Sequence, residues 1–194
     1  APIQAGQMPD PNENHDLQTF FGPLGPNLDV GEDIDPIDMG YVTPSETDVL
    51  FNLYFPHYLP QGSPLDDDDQ LMHLSFYQNL SHTRWGLDPL VHTVSFVRAR
   101  SAFLFTSILA ASALFLPSTA ALSKRLSVHR KNLAHRIMVN RNRSPEIVLA
   151  FMVNIPWMSP GKHWADDETC AYRAIALTIA MDISLNKLIM PSQG

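Results

Sequence analysis

A lone cysteine, eight histidines and a run of four aspartates are the residues of this chain most capable of chemistry, and none stands in a pattern that performs any. Cys170 follows Asp166, Asp167 and Glu168 at an expected helix start. The helix terminus lowers a thiol's pKa while the carboxylates oppose the thiolate, so a structural thiol is expected. His129 and His135 lie six residues apart, on different faces of a helix, which argues against a shared metal. His92, just before Thr93, is expected to serve as a structural hydrogen-bonding group. Asp66 to Asp69 lack the alternating ligand spacing and turn glycine of a calcium loop and read as solvated loop. No nucleophile elbow, phosphate-binding glycine loop, dinucleotide fingerprint or zinc-protease helix occurs. The expected catalytic, cofactor-binding and metal-ligating residues are therefore none, and the chain does not read as an enzyme.

Composition sets the frame for the elements. The 194 residues suffice for one domain with a tail, and the 45% apolar fraction is too high for wholesale disorder. One cysteine supports neither a disulfide framework nor a cysteine-based metal cage, and it points to a reduced, intracellular compartment. The first residues, APIQAGQMPDPNENHD, lack the basic and apolar regions of a secretory signal. The missing initiator Met fits Met removal or a fragment, and a fragment is the reading taken. Charge is lopsided. Fourteen of twenty acidic residues fall between Asp10 and Asp69, while no basic residue precedes Arg84. Bulk attraction to nucleic acid is not expected from a net charge of −7.

Residues 1–39 read as a disordered acidic leader or linker. Six prolines break every helical register, and one-signed charge with few apolar groups does not offset the cost of ordering the backbone. Within it, DVGEDIDPIDMGY mixes acids with Val, Ile and Met, a pattern also found in activation segments, although a plain linker accounts for it. Order is expected from Thr43, where TPSE offers an N-cap, an N1 proline and a capping-box glutamate. The body of that helix places Val49, Leu50, Leu53 and Tyr54 on one face before Pro56. The stretch 71–92 has mixed periodicity. Its Asn79-Leu80-Ser81 formally matches a glycosylation acceptor, which is expected to be unused.

Three apolar helices with readable starts follow, at 92–115, 143–157 and 166–187. Twenty-three uncharged residues from Ser101 to Ser123 raise the possibility of a bilayer span. Ser101 is a natural N-cap, however, and Pro117 ends a run of about fifteen residues, or ~22 Å. A buried central helix over 102–115 is the expectation, and no membrane. Seven of the thirteen basic residues lie in 124–143, read as the wet face of an amphipathic helix that buries Leu122, Leu126, Leu133, Ile137 and Met138. Ser144-Pro145-Glu146 starts the next helix, and Asp166 or Asp167 caps the last. The last carries a stripe of Tyr172, Ile175, Ala176, Ile179, Ala180, Ile183 and Leu185, with small residues suited to close helix packing. The whole is an all-α, irregular domain of about five to seven helices over 40–194.

Four phrases in order resemble the middle regulatory domain of fungal transcription factors of the zinc binuclear cluster (Zn2Cys6) type. They are DPIDMGYVTPSETDVLFNLYF (35–55), HTVSFVRARSAFLFTSILAAS (92–112), RSPEIVLAF (143–151) and MDISLNK (181–187), with Ala102 where the family commonly has proline. The resemblance covers about 35–187 and implies the front part of such a domain. It implies regulation of transcription by RNA polymerase II in the nucleus, through intramolecular contacts, coregulators or a small effector, with a homodimer possible for the full-length protein. DNA would be read only by a six-cysteine, two-zinc module, which one cysteine cannot build. No cofactor is expected in this chain itself. The alternatives are a helical ligand- or effector-binding module outside transcription, using an apolar cavity between helices, and a membrane-associated protein anchored by 101–123.

Overall fold

The computed structural model describes residues 25–55, 86–158, 163 and 167–185. Among these are six α-helices and no strand: α1 (Pro44–Tyr54), α2 (Val94–Arg100), α3 (Ala102–Ala113), α4 (Ala120–Asn140), α5 (Pro145–Asn154) and α6 (Glu168–Asp182). The all-α expectation holds. Single 3-10 turns lead into α4 and follow α5. Residues 1–24 of the expected leader, the Asp66–Asp69 run, the Asn79 triplet and most of 71–92 lie outside the described residues.

Helix starts follow local chemistry. At α1 the Thr43 hydroxyl accepts from the Glu46 N–H at 3.2 Å, and the Thr43 N–H donates back to Glu46 Oε2 at 2.8 Å. A capping side chain of this kind contributes ~1 kcal/mol. Ser101, Ser144 and Asp167 cap α3, α5 and α6 in the same sense. The buried face of α1 is Leu50, Phe51, Leu53 and Tyr54; Val49, expected there, is 58% exposed. Phe51 takes its place through ring contacts with Phe55 and Phe105.

The run 92–115 is two helices, not one. Ser101 is extended (φ −160°, ψ 114°) and serves both as the C-cap of α2 and as the N-cap of α3. Every residue of α3 is buried, and it packs against α1, α2, α4 and α5, while α6 leans on α5. Its hydroxyls reach this depth because they bond within the helix: Ser107 donates to the Phe103 carbonyl at 2.6 Å and Ser112 to that of Ile108 at 3.0 Å. Asn154 of α5 donates to Ser107 Oγ at 2.8 Å, tying two core helices by a polar contact. Phe151 of α5 meets Phe103 and Tyr172 edge-on at 4.9 and 5.0 Å, linking α3, α5 and α6.

Two expectations for the later helices need correction. On α4, Leu122, Leu126, Leu133 and Ile137 are buried as expected, but Met138 is 46% exposed and Arg130, placed on the wet face, is buried. The helix is covered by α3 on one side and reaches α6 on another, so its dry arc is wider than a single stripe. On α6 only Tyr172, Ala176 and Ile179 are buried, and Ala171 and Ala174 face outward. No helix among the described residues is long and apolar enough to cross a membrane.

The largest departure concerns the leader. Residues 27–42 form a packed strap across α2, α4 and the start of α3, so the boundary drawn at 39/40 falls inside the fold. Ile34 and Val42 are 5% and 3% exposed and belong to the core. The strap turns through Asp35–Gly40, where Gly40 at φ 69° supplies the left-handed residue that closes the turn. Its one-signed charge, which argued for disorder, is offset by arginines and backbone donors far along the chain.

Candidate functional site

The strap gathers the buried carboxyl groups among the described residues, Asp29, Asp35 and the nearby Glu146, together with His129, while Arg130 lies apart from it. At its first anchor, Asn27 and Arg143 exchange backbone hydrogen bonds at 2.8 Å in both directions, and Arg143 Nε donates to the Gly25 carbonyl at 2.9 Å. Asn142 adds a side-chain bond to the Leu28 carbonyl at 2.9 Å. The second anchor is the pair of backbone N–H groups at the buried start of α3 that the helix itself leaves unpaired. The Asp29 carbonyl accepts from the Ala102 N–H at 2.9 Å and Asp29 Oδ2 from the Phe103 N–H at 2.8 Å. Two of the four donors that a helix start leaves open are thereby satisfied from the strap.

Asp29 is 5% exposed, and beside it Glu146, in the first turn of α5, is 6% exposed. Arg100 Nε donates to Glu146 Oε1 at 2.9 Å. Asp29 Oδ1 and Glu146 Oε2 have no hydrogen-bond partner among the described residues. Burial is the largest influence on Asp29 and the Glu146 charge adds to it; together they outweigh the Phe103 N–H and the Ser101 hydroxyl and push its pKa up to about 6.

The third anchor is ionic. Asp35 Oδ2 accepts from Arg98 Nε at 2.7 Å, while its Oδ1 accepts from the Ile37 and Asp38 N–H groups at 2.9 and 3.1 Å. Arg98 also reaches Asp38 at 2.6 Å, and the Asp35 bond leads in holding its guanidinium above the ordinary arginine range. Arg136 of α4 pairs with Asp33 at 2.8 Å. At the fourth anchor, His129 Nε2 donates to the Ile34 carbonyl at 2.8 Å and the ring lies 4.8 Å from that of Tyr41. Burial holds its pKa below the ordinary histidine value, so the ring is the neutral Nε2–H form.

The hollows beside these anchors are modest. One of about 70 Å3 lies between Asp29, Ile34, Leu133 and Ile137; open grooves of about 480 and 340 Å3 run beside Arg98 and between the ends of α4 and α6. The groove beside Arg98 is edged by Glu32, Asp35 and Asp38 rather than by apolar residues alone.

The residues singled out in the sequence for possible chemistry are dispersed. Cys170 is exposed on the first turn of α6, His135 is exposed on α4, and His129 is turned inward to the strap. His92 is buried and receives the Asp88 N–H on Nδ1 at 2.9 Å, the structural role expected of it. Among the described residues, no group of three or more His, Cys, Asp or Glu could hold a metal ion. The groups that the structure does bring together, Asp29, Ser101, Arg100 and Glu146, were not anticipated as a set. Glu146 carried a signal, as the one charged residue within α5. Asp29 carried none. The cluster can bind or release a proton and can hold the strap; it offers no activated nucleophile. No protein-family model, no curated protein and no solved structure matches the chain.

Proposed function

We propose that this chain is the regulatory, non-DNA-reading portion of a fungal zinc-cluster transcription factor, acting in the nucleus on transcription by RNA polymerase II through intramolecular contacts, coregulators or a small effector. The observation that carries the reading is that the phrases bearing the resemblance touch one another through their own side chains. Asp35 of DPIDMGY pairs with Arg98 of VRARS, Arg100 pairs with Glu146 of RSPEIVLAF, and Phe151 of that phrase meets Tyr172 on α6, the helix leading into MDISLNK. A second support is the state of the basic helix α4. Arg136 and Lys131 are engaged by Asp33 and Glu168, and Arg130 is buried, which leaves few of its charges free for phosphates.

The test is a fusion of the full 194-residue chain to an unrelated DNA-binding module, read on a reporter in a fungal cell. The expected result is a several-fold change in transcription, up or down, relative to the module alone, with no retention of duplex DNA by the chain without the module. An unchanged reporter would sink the proposal, and sequence-independent DNA retention by the chain alone would remove its non-DNA-reading half.

A further inference from the structure

We propose that the strap is held by a proton-controlled latch at Asp29: the neutral carboxyl seats residues 27–42 firmly, and its ionisation loosens them without unfolding the helices. The geometry carries this. Asp29 and Glu146 are two buried carboxyl groups, and among the described residues Arg100 Nε bonds Glu146 Oε1 while no cation is bonded to Asp29. Each has one bonded oxygen and one without a partner among the described residues. Two buried anions leave two buried oxygens unsatisfied, and a proton on Asp29 removes one of the two charges. The Asp29 backbone carbonyl and Oδ2 hold the start of α3 in either state; ionisation strengthens the Oδ2 bond itself but costs more in desolvation, so it loosens the strap rather than releasing it.

The charged surroundings are few. From the α2–α3 junction come Arg100 and the Ser101 hydroxyl, and from α5 comes Glu146. Arg136 of α4 lines the same hollow as Asp29 but is committed to Asp33, and Asp35 on the strap is committed to Arg98. The sign follows from the raised pKa. The seated strap binds the Asp29 proton more tightly than the open chain, so the contribution is full below 3.8 and is lost as pH rises through about 6. His129 works in the opposite sense: burial disfavours its charged form, so its contribution is lost as pH falls below the ordinary histidine value of 6.5.

The test is amide hydrogen exchange on the full chain, corrected for the intrinsic pH dependence, followed at Asn27, Ala102, Phe103 and Arg143. Asp29 alone is expected to raise opening at these amides on the order of tenfold between about pH 5 and pH 7, as its two pKa values of 3.8 and about 6 require, with His129 opposing that rise. Asp29→Asn, which is permanently uncharged, should flatten that rise. A carbon-13 titration of the wild-type Asp29 carboxyl provides a reading that needs no variant. An ordinary carboxylate titration, a rise with pH that survives in Asp29→Asn, or an equal rise at the core amide of Ile108 would each overturn the latch, the last by making the opening global.

Discussion

Arg130 shows how a single side chain escapes a sequence reading. Its stem and guanidinium are 7% exposed between α4 and α6, and Nε has no hydrogen-bond partner among the described residues. Glu168 and Tyr172 act on it only through space, while the Glu168 carboxylate is bonded to Lys131. A buried, incompletely satisfied cation is a burden that apolar isosteres relieve. Arg130→Met, which keeps the stem's packing, is therefore expected to raise stability by about 1 kcal/mol in urea unfolding. A loss of similar size would mean that the guanidinium makes a favourable contact after all. In the sequence Arg130 looks like its neighbours Lys131 and Arg136, and only its burial in the fold separates it from them.

At the scale of elements, the helix starts were legible and the helix break was not. Thr43, Ser101, Ser144 and Asp167 act on N–H groups two or three residues ahead, so their effect is written locally. The break at Ser101 also depends on Asp29, 74 residues away from the Phe103 N–H that it holds. Complete burial of α3 was readable from its lack of charge, though the back-bonding that lets Ser107 and Ser112 accompany it was not. Ile108 is 0% exposed on that helix. Ile108→Asp places an unpaired charge in the core and is expected to cost several kcal/mol, enough to abolish the cooperative melt and the helical circular dichroism. A variant that melts like the parent would show that α3 is not core.

For the whole molecule, the acidic front and basic rear are not separate territories, because the strap folds one onto the other. Asp33, Asp35 and Asp38 meet Arg136 and Arg98, in pairs that are largely open to solvent on at least one side. Such pairs are screened by salt and together contribute about 1 kcal/mol. Raising NaCl from about 10 mM to about 0.5 M should lower the melting temperature by roughly 2–4 °C; a constant or rising value would mean that the strap is held by Ile34, Val42 and its backbone bonds alone. The candidate site was hidden in the sequence for the same reason that the strap was, since each anchor joins residues far apart in the chain. That separation also orders events in time. Arg143 and Gly25 meet across 118 residues. A ribosome adding about 5–20 residues per second takes roughly 6–24 s between the two. The start of the strap is made early and its partner at Arg143 comes last, after the anchors at Arg98, Ala102, His129 and Arg136, so a newly made chain passes through a period in which the segment around residues 25–27 is open to any other binder in the cell.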